Sequence, residues 1–216
     1  MSVDGDRTDR WRAYWNRSAL AYDEQMNRFE RLMAPGGRRW VCSRAEGEVL
    51  EVAIGTGLNL PVYGRDVRLT GIEWSPRMLD LARQRAQDLD VPVDLREGDA
   101  RDLPFPDASF DSVVCTFGLC AIPDEQQAIA EMARVLRPGG KLLLLDHVAG
   151  SAWPVRLLQR VAELITIPLG GEHFLRRPLP LVRAAGLDVE ESDRFKLGII
   201  ERLAARKAVP PLRDSQ

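Results

Sequence analysis

The sequence predicts an α/β fold: a Rossmann-like, seven-stranded, mostly parallel sheet with helices on both faces and an N-terminal helical cap. Two observations carry this prediction. Strand-like apolar runs alternate with helical patterns through residues 45–150, which is typical of βαβ units. In addition, Gly55-Thr56-Gly57 directly follows the first predicted strand, where folds of this class place a ligand-binding turn.

Each element of the central region has its own signal. The last predicted strand is continuously apolar, as expected of a strand covered on both faces. Ser75 and Pro76 form an N-cap and first-turn signal for a helix. A second helix opens at Pro123-Asp124 and meets a stop signal at residues 137–140. The predicted central strands cover residues 48–53, 67–73, 91–97, 110–116 and 141–147.

The flanking segments define the domain boundaries. Residues 8–34 predict an aromatic-rich helix, and residues 152–166 predict a helix with one apolar face, followed by a Pro/Gly-rich loop over 168–180. Residues 186–207 predict two further strands. We therefore expect a helical cap over residues 1–44, a ligand-binding domain over 45–207 with a substrate cover at about 150–182, and a flexible tail over 208–216.

The composition excludes several classes of protein. An apolar fraction of 45% with a net charge of -2 argues against global disorder. The longest apolar run, Leu142–Leu145, is too short to span a bilayer, and the polar N-terminus lacks the features of a secretory signal. Two distant histidines and three cysteines without a CxxC motif argue against a metal site or a disulfide framework. We expect a cytoplasmic protein without an integral membrane segment or a bound metal.

Charge is unevenly distributed along the chain. Basic and acidic residues number 9 and 6 in residues 1–44, 10 and 18 in 45–150, and 11 and 8 in 151–216. An acidic centre argues against nucleic acid as a partner. The basic flanks are compatible with transient contact with an anionic membrane, although a solvated acidic surface explains the same numbers. We expect a small-molecule partner, and the oligomeric state stays open.

The glycine turn indicates the kind of ligand. The third glycine of a dinucleotide-binding turn is missing, since Leu60 stands in its place. Glu51, just before the turn, would repel a pyrophosphate and attract an ammonium group. Glu73 follows at the end of the next strand, where such folds place the carboxylate that binds a ribose. These features favour a ligand that combines a ribose with a cationic amino group.

Four motifs in order resemble those of the class I S-adenosylmethionine (SAM)-dependent methyltransferases. They are residues 51–57 (EVAIGTG), 71–79 (GIEWSPRML), 97–105 (EGDARDLPF) and 136–141 (LRPGGK). One departure is Ala53, where the family often has glycine, so we expect its methyl group to crowd the turn slightly. The resemblance implies SAM as the methyl donor and S-adenosylhomocysteine (SAH) as its product.

The resemblance also implies which residues contact SAM. Glu51 would face the methionine ammonium, Glu73 the ribose hydroxyls, and Asp99 the adenine edge. The other implied contacts are Ala53, Gly55, Thr56, Gly57, Trp74, Met78, Ala100, Cys115 and Thr116.

Two histidines are candidate catalytic bases. His147 lies at the end of the fifth predicted strand, at the edge where ligands bind in α/β sheets. His173 lies in a glycine-hinged loop that could close over the site. Either one could instead only hold a loop by hydrogen bonds. Five aromatic residues could cover the cofactor or contact the substrate, or serve as ordinary packing residues: Tyr14, Trp15, Tyr22, Phe117 and Trp153.

A narrower resemblance concerns the acceptor. Residues 114–122 (VCTFGLCAI) together with Asp146-His147-Val148 are similar to the methyltransferase-like thiol methyltransferases, and more distantly to quinone C-methyltransferases and phospholipid N-methyltransferases. The sequence thus favours S-methylation of a small apolar thiol. The alternatives are methylation of a quinone or phenol, N-methylation of a phospholipid, and a non-catalytic SAM-binding module. Glu51 and Leu60 disfavour an NAD-dependent oxidoreductase.

Overall fold

The structure, a computed structural model, describes residues 3–209, and seven strands form its central sheet. The strand order is β3-β2-β1-β4-β5-β7-β6. Strands β3 to β5 pair in parallel, whereas β7 runs antiparallel to both β5 and β6. The strands are β1 Glu48–Val52, β2 Arg68–Glu73, β3 Val93–Glu97, β4 Phe110–Thr116, β5 Leu136–His147, β6 Leu187–Phe195 and β7 Ile200–Lys207.

Six α-helices accompany the sheet within residues 3–209. As predicted, Ser75 caps α3, because its hydroxyl accepts a hydrogen bond from the Met78 amide and Pro76 takes the first helical position. Asp124 caps α4 in the same way. The helices are α1 Val3–Met33, α2 Gly37–Cys42, α3 Pro76–Asp88, α4 Glu125–Val135, α5 Trp153–Gly170 and α6 Pro178–Ala184, and a short 3₁₀ turn, Leu60–Val62, follows β1.

The predicted sheet with helices on both faces is confirmed. Successive side chains of a strand point to opposite faces, so Leu142 and Leu144 of β5 join one core cluster while Leu143 and Leu145 join the other. Helices α4 and α6 supply residues to the first cluster, and α2 and α3 supply residues to the second. A strand buried on both faces must be apolar throughout, which explains the continuous leucine run.

Some element boundaries differ from the prediction. Helix α4 ends at Val135, and β5 begins at Leu136 rather than Lys141 because Leu136 already pairs with Phe110 of β4. Helix α5 continues through Pro168 to Gly170, although the sequence predicted a loop from Pro168 onward. A proline so close to a helix end removes little hydrogen bonding, and Gly171 stops the helix in the left-handed conformation (φ 73°).

Two further expectations concern the ends of the chain and the membrane. The predicted N-terminal helix starts at Val3 rather than residue 8. Residues 210–216 of the predicted flexible tail lie outside the described residues. None of the helices within residues 3–209 combines the length and the apolarity that a membrane span requires.

The parallel strands bring their carboxyl ends to one edge of the sheet. Val52, Glu73, Thr116 and His147, which end β1, β2, β4 and β5, therefore belong to the same edge. The loops that follow these strands form the cleft described below.

The core packing generates the first prediction. Met132 of α4 is fully buried in the cluster that includes Leu142 and Leu144. We expect Met132→Ala to lower the free energy of unfolding by about 2–5 kcal/mol, because it removes buried apolar atoms and leaves a cavity. Urea unfolding measures the loss. Gln126→Ala, at an exposed position of the same helix, is the matched control and should change stability by less than about 0.5 kcal/mol.

Candidate functional site

A cleft with an internal volume of about 60 Å³ opens at the carboxyl edge of the sheet. The two charged residues in its lining, Glu73 and Asp99, are both acidic. The lining residues are Trp15, Tyr22, Ala53, Gly55, Ile72, Glu73, Trp74, Met78, Gly98, Asp99, Phe117, Gly118, Ala121, Ile122 and Pro123.

The turn after β1 forms one wall of the cleft. Ala53, Gly55 and Gly57 all have positive φ angles, of 55°, 60° and 80°. Such angles strain a residue with a side chain, so Ala53 adopts a backbone conformation that favours glycine. The Ala53 methyl group is accommodated because Gly118 faces it: a Cβ atom on Gly118 would lie 2.8 Å from the Ala53 Cβ.

Backbone hydrogen bonds hold the Glu73 carboxylate in place in the cleft. It is 4% exposed, and its two oxygens accept hydrogen bonds from the Gly55 amide over 3.0 Å and the Ser75 amide over 2.9 Å. Burial raises its pKa, while these backbone donors lower it. Each carboxylate oxygen retains a lone pair, so Glu73 can accept two more hydrogen bonds from vicinal hydroxyls.

The cleft lining includes three residues that the resemblance implies to bind adenine. They are Trp74, Met78 and Asp99, and their contact with adenine stays a prediction. Asp99 also pairs with Arg101, whose side chain donates to it over 2.7 Å. Ala100 is buried and lies outside the lining.

Helix α1 covers the cleft from the N-terminal side. Trp15 and Tyr22 line the cleft, and their rings meet edge to face at 6.1 Å. The Trp15 indole donates to the Gly170 carbonyl over 2.9 Å, which ties α1 to the end of α5. Tyr14 contacts the Trp15 ring but lies outside the lining. The helix thus lies where a cap was predicted.

Further contacts hold α1 to the turn after β1 and to α3. Asp23 accepts a hydrogen bond from the Thr56 hydroxyl over 2.5 Å and pairs with Arg85. Asn16 accepts a hydrogen bond from the Ser75 hydroxyl over 2.7 Å. The sequence does not predict these roles of Asn16, Asp23 and Arg85, because polar residues on a helix surface give no local signal of long-range contact.

Glu51 lies beneath the turn rather than in the cleft lining. It is 1% exposed, and Asn59 and the Tyr63 hydroxyl donate to its two oxygens over 2.8 and 2.9 Å. Burial raises the pKa of Glu51 to about 7, against the lowering effect of these hydrogen bonds and of Arg38. Its contact with a methionine ammonium stays a prediction.

The neighbours of Glu51 extend this buried polar network. Arg38 donates to Asn59 and Thr116 over 2.9 and 3.0 Å and forms an ion pair with Glu30 of α1. Thr116 belongs to this network. Four residues implied to contact SAM lie outside the cleft lining: Thr56, Gly57, Cys115 and Thr116.

A group of four residues lies behind the cleft wall at the end of β5. This strand-end cluster consists of Cys120, Asp146, His147 and Glu172. Asp146 accepts hydrogen bonds from the amides of Cys120 and His147 over 3.1 and 2.8 Å. One donor atom from each of Cys120, His147 and Glu172 lies within 4.8 Å of the other two.

The strand-end cluster is acidic and poorly hydrated. Burial raises the pKa of both Asp146 and Glu172. His147 is 8% exposed, its ring packs on Phe174 at 4.7 Å, and its buried Nδ1 has no hydrogen-bond partner among the described residues. The cluster borders the cleft, because Cys120 belongs to the same loop as the cleft-lining Phe117 and Gly118.

Two predicted site residues lie elsewhere. His173 lines a separate surface pocket with Arg160 and Arg176, and its amide donates to the Cys120 carbonyl over 2.9 Å. Burial and then the charge of Arg176 lower the pKa of His173 to about 4, so its ring is neutral near pH 7. Trp153 is 70% exposed on α5 and lies outside the cleft lining.

The raised pKa of Glu51 generates the second prediction. An unfolded glutamate releases its proton near pH 4.5, whereas folded Glu51 keeps its proton up to about pH 7. The folded state therefore binds more protons in this interval, and Glu51 lowers the stability of the fold as pH rises through it. As the pH rises from about 4.5 to about 7, we expect the free energy of unfolding of Glu51→Gln to increase by up to about 3 kcal/mol relative to that of the unmutated chain.

Urea unfolding at a series of pH values from 4.5 to 8 measures this difference. Glu24→Gln, which changes the same group on the exposed surface of α1, is the matched control. A stability difference between Glu51→Gln and the unmutated chain that does not vary with pH would contradict the raised pKa.

Comparisons with known proteins agree with the motifs and the cleft. Residues 50–144 match the family described as methyltransferase domain. The phosphatidylethanolamine N-methyltransferase of Cereibacter sphaeroides is 40% identical over 126 residues, which cover 57% of this chain and 62% of that protein. The demethylmenaquinone methyltransferase of Deinococcus radiodurans is 48% identical over 101 residues, which cover 45% and 42%. The chain thus spans less than two thirds of the length of these relatives.

Solved structures share the fold. A SAM-dependent methyltransferase of Thermotoga maritima superimposes with a TM-score of 0.67 at 22% identity, covering 90% of this chain and 99% of that one. The cyclase SpnF has a TM-score of 0.64 at 22% identity, covering 80% and 78%. The fold alone therefore does not define a reaction. The ordered motifs, the matched domain and the curated relatives together support a class I SAM-dependent methyltransferase.

Proposed function

We propose that the protein is an enzyme that transfers the methyl group of SAM to the amino group of a lipid-like molecule. The observation that carries the choice of acceptor is the acidic strand-end cluster beside the cleft. Asp146 is buried there and Glu172 is half-buried, next to His147 and Cys120. Carboxylates in a poorly hydrated site attract a cationic group and repel an anionic one.

The cleft suits SAM as the donor. SAM carries positive charge on its sulfonium and ammonium groups, and the charged lining residues Glu73 and Asp99 are acidic. Glu73 offers two free lone pairs for the ribose, and Trp74 and Met78 offer apolar surface for the adenine.

The chain's own cysteine indicates how an acceptor thiol would behave in this cluster. Burial, and then the negative charges of Asp146 and Glu172, raise the pKa of the Cys120 thiol well above its ordinary value. A substrate thiol in the same surroundings would also be kept protonated, although the thiolate is the effective nucleophile. A thiol acceptor, which the sequence favoured, therefore stays a prediction that the electrostatics do not support.

An amine fits the same surroundings. The carboxylates attract the ammonium form and raise its pKa, whereas burial lowers that pKa because a poorly hydrated site disfavours a charged amine. The buried Nδ1 of His147 is free to take up a proton. The cluster can therefore both bind the acceptor and generate its neutral, nucleophilic form.

The transfer itself needs alignment and the exclusion of water more than acid–base chemistry. When bound, SAM supplies an electrophilic methyl group. His147 would take the proton that the acceptor ammonium loses before the transfer, and the methylated product would leave in its ammonium form. Trp15 and Tyr22 shield the cleft from solvent. The Cereibacter relative, which is named for N-methylation of phosphatidylethanolamine, supports an amine acceptor.

Cofactor binding gives the third prediction. Glu73→Gln should weaken the binding of SAM and SAH by about 1.5–3 kcal/mol, because it weakens hydrogen bonds between a charged carboxylate and the ribose. Titration calorimetry measures the affinities. Asp80→Asn, on the exposed surface of α3, is the control and should leave them unchanged. Binding of NAD in place of SAM, or an unchanged SAM affinity in Glu73→Gln, would refute the assignment of the cleft.

Acceptor choice gives the fourth prediction. With radiolabelled SAM and a panel of lipid-like amines, thiols and quinols, we expect methylation of amines. Glu172→Gln should lower amine turnover roughly 10²-fold while leaving SAM affinity unchanged, because it removes a carboxylate from the acceptor side only. Glu24→Gln serves as the matched control for a charge change outside the cluster.

The other arms of the panel separate the alternatives. Methylation of a thiol but no amine would support S-methylation. Methylation of a quinol would agree with the name of the Deinococcus relative, a demethylmenaquinone methyltransferase. Tight SAM binding with no methylated product from any acceptor would favour a non-catalytic binding module.

A further inference from the structure

Helix α5 turns its polar side toward the protein. Gln159, which is buried, accepts a hydrogen bond from the Gly150 amide over 2.8 Å and donates to the carbonyls of Val148 and Phe174 over 2.8 and 3.1 Å. On the same side, Glu163 accepts hydrogen bonds from the Phe174 and Leu175 amides over 2.7 and 2.9 Å. The inward contacts of α5 are therefore largely hydrogen bonds rather than apolar packing.

The opposite side of α5 is apolar and faces solvent. Its residues are 54–72% exposed, although most surface helices bury their apolar stripe in the core. At 100° per residue these positions form one continuous stripe along the helix. This outer face of α5 consists of Trp153, Leu157, Leu158, Val161, Leu164 and Ile165.

We propose that the outer face of α5 inserts into the interfacial layer of an anionic lipid bilayer. A helix with an apolar face, low net charge and basic residues at its polar border is the type that lies in the membrane interface. Arg156 and Arg160 are exposed beside the outer face, and Arg177 is exposed in the segment that follows. Their positive charges complement anionic headgroups, and an exposed Trp153 suits the interface, where tryptophan is enriched.

The position of α5 connects this surface to the proposed acceptor site. Phe174, whose backbone is held by Gln159 and Glu163, packs against His147 of the strand-end cluster. Residue Glu172 of the same cluster accepts a hydrogen bond from Thr166 of α5 at its carbonyl, over 2.9 Å. One side of the helix would thus contact the bilayer while the other holds the site for a lipid amine. In this respect the inference rests on the proposed function.

A bilayer explains the surface better than a second copy of the chain does. Two copies that paired through α5 in antiparallel orientation around Val161 would bring Arg160 of each copy close to Arg160 of the other. Like charges at such a contact are destabilising. Insertion of the outer face of α5 into a bilayer buries the same apolar residues without this repulsion.

Vesicle flotation tests the proposal without SAM or an acceptor. The unmutated protein should bind vesicles of phosphatidylcholine with phosphatidylglycerol more tightly than vesicles of phosphatidylcholine alone. The double variant Leu158→Gln, Leu164→Gln should bind more than roughly tenfold more weakly, because both leucines are 72% exposed and their loss removes apolar surface without disturbing the core. Leu89→Gln, 45% exposed at the end of α3, is the matched control and should bind normally.

The arginines test the electrostatic part. Arg160→Gln and Arg177→Gln should each weaken binding to the anionic vesicles roughly fivefold, with little effect on neutral ones. Equal binding of the leucine double variant and the unmutated protein would overturn the proposal. So would a dimer in analytical ultracentrifugation that dissociates in the double variant, because the second copy would then be the occupant.

Activity separates this proposal from the proposed function. The double variant should keep its SAM affinity and its turnover of a water-soluble, short-chain amine, but lose turnover of a lipid amine presented in vesicles. Vesicle binding without methylation of any amine would support the docking surface and reject the amine acceptor. Methylation of amines without vesicle binding would support the acceptor and reject the docking surface.

Discussion

Three buried carboxylates at the carboxyl edge of the sheet determine how the loops around the cleft are built. A carboxylate removed from water must receive hydrogen bonds. Glu51 receives them from Asn59 and Tyr63, Glu73 from the amides of Gly55 and Ser75, and Asp146 from the amides of Cys120 and His147. Each set of donors fixes the loop that supplies it. The same physical cause therefore fixes three segments: the turn after β1, the start of α3 and the loop that carries Cys120. Each must supply hydrogen bonds to a buried carboxylate.

The N-terminal helix depends on the same edge. Arg38, which follows α1, links Glu30 of the helix to Asn59 and Thr116 of the buried network. Asp23 reaches the cofactor turn through Thr56. The cap is thus bound to the cofactor loops by polar contacts, which are sensitive to charge, rather than by apolar packing alone. A cationic cofactor bound beside Glu51 and Glu73 would change the electrostatic environment of the ion pairs and hydrogen bonds that hold α1.

Helix α5 and the strand-end cluster give the acceptor side a different character from the donor side. The donor cleft is open and partly lined by aromatic rings, whereas the cluster is buried and acidic. Gln159 and Glu163 use their side chains to hold the loop that carries Phe174, so the apolar residues of α5 are left to face outward. One helix therefore positions the proposed acceptor site and presents the proposed membrane surface.

The sequence by itself determined the sheet, the positions of its central strands along the chain, the capped helices and most of the residues that line the cleft, including Glu73, Trp74, Met78 and Asp99. These features depend on short-range signals: apolar periodicity, caps, and carboxylates next to glycine turns. Only the tertiary structure decided that Asn59 and Tyr63 hydrogen-bond Glu51, that His147 joins Cys120 and Glu172, that His173 faces another pocket, and that α5 turns its apolar side outward. An amphipathic pattern defines two faces of a helix but not which one meets the core. That choice depends on hydrogen bonds to residues distant in the chain, such as those of Gln159 and Glu163.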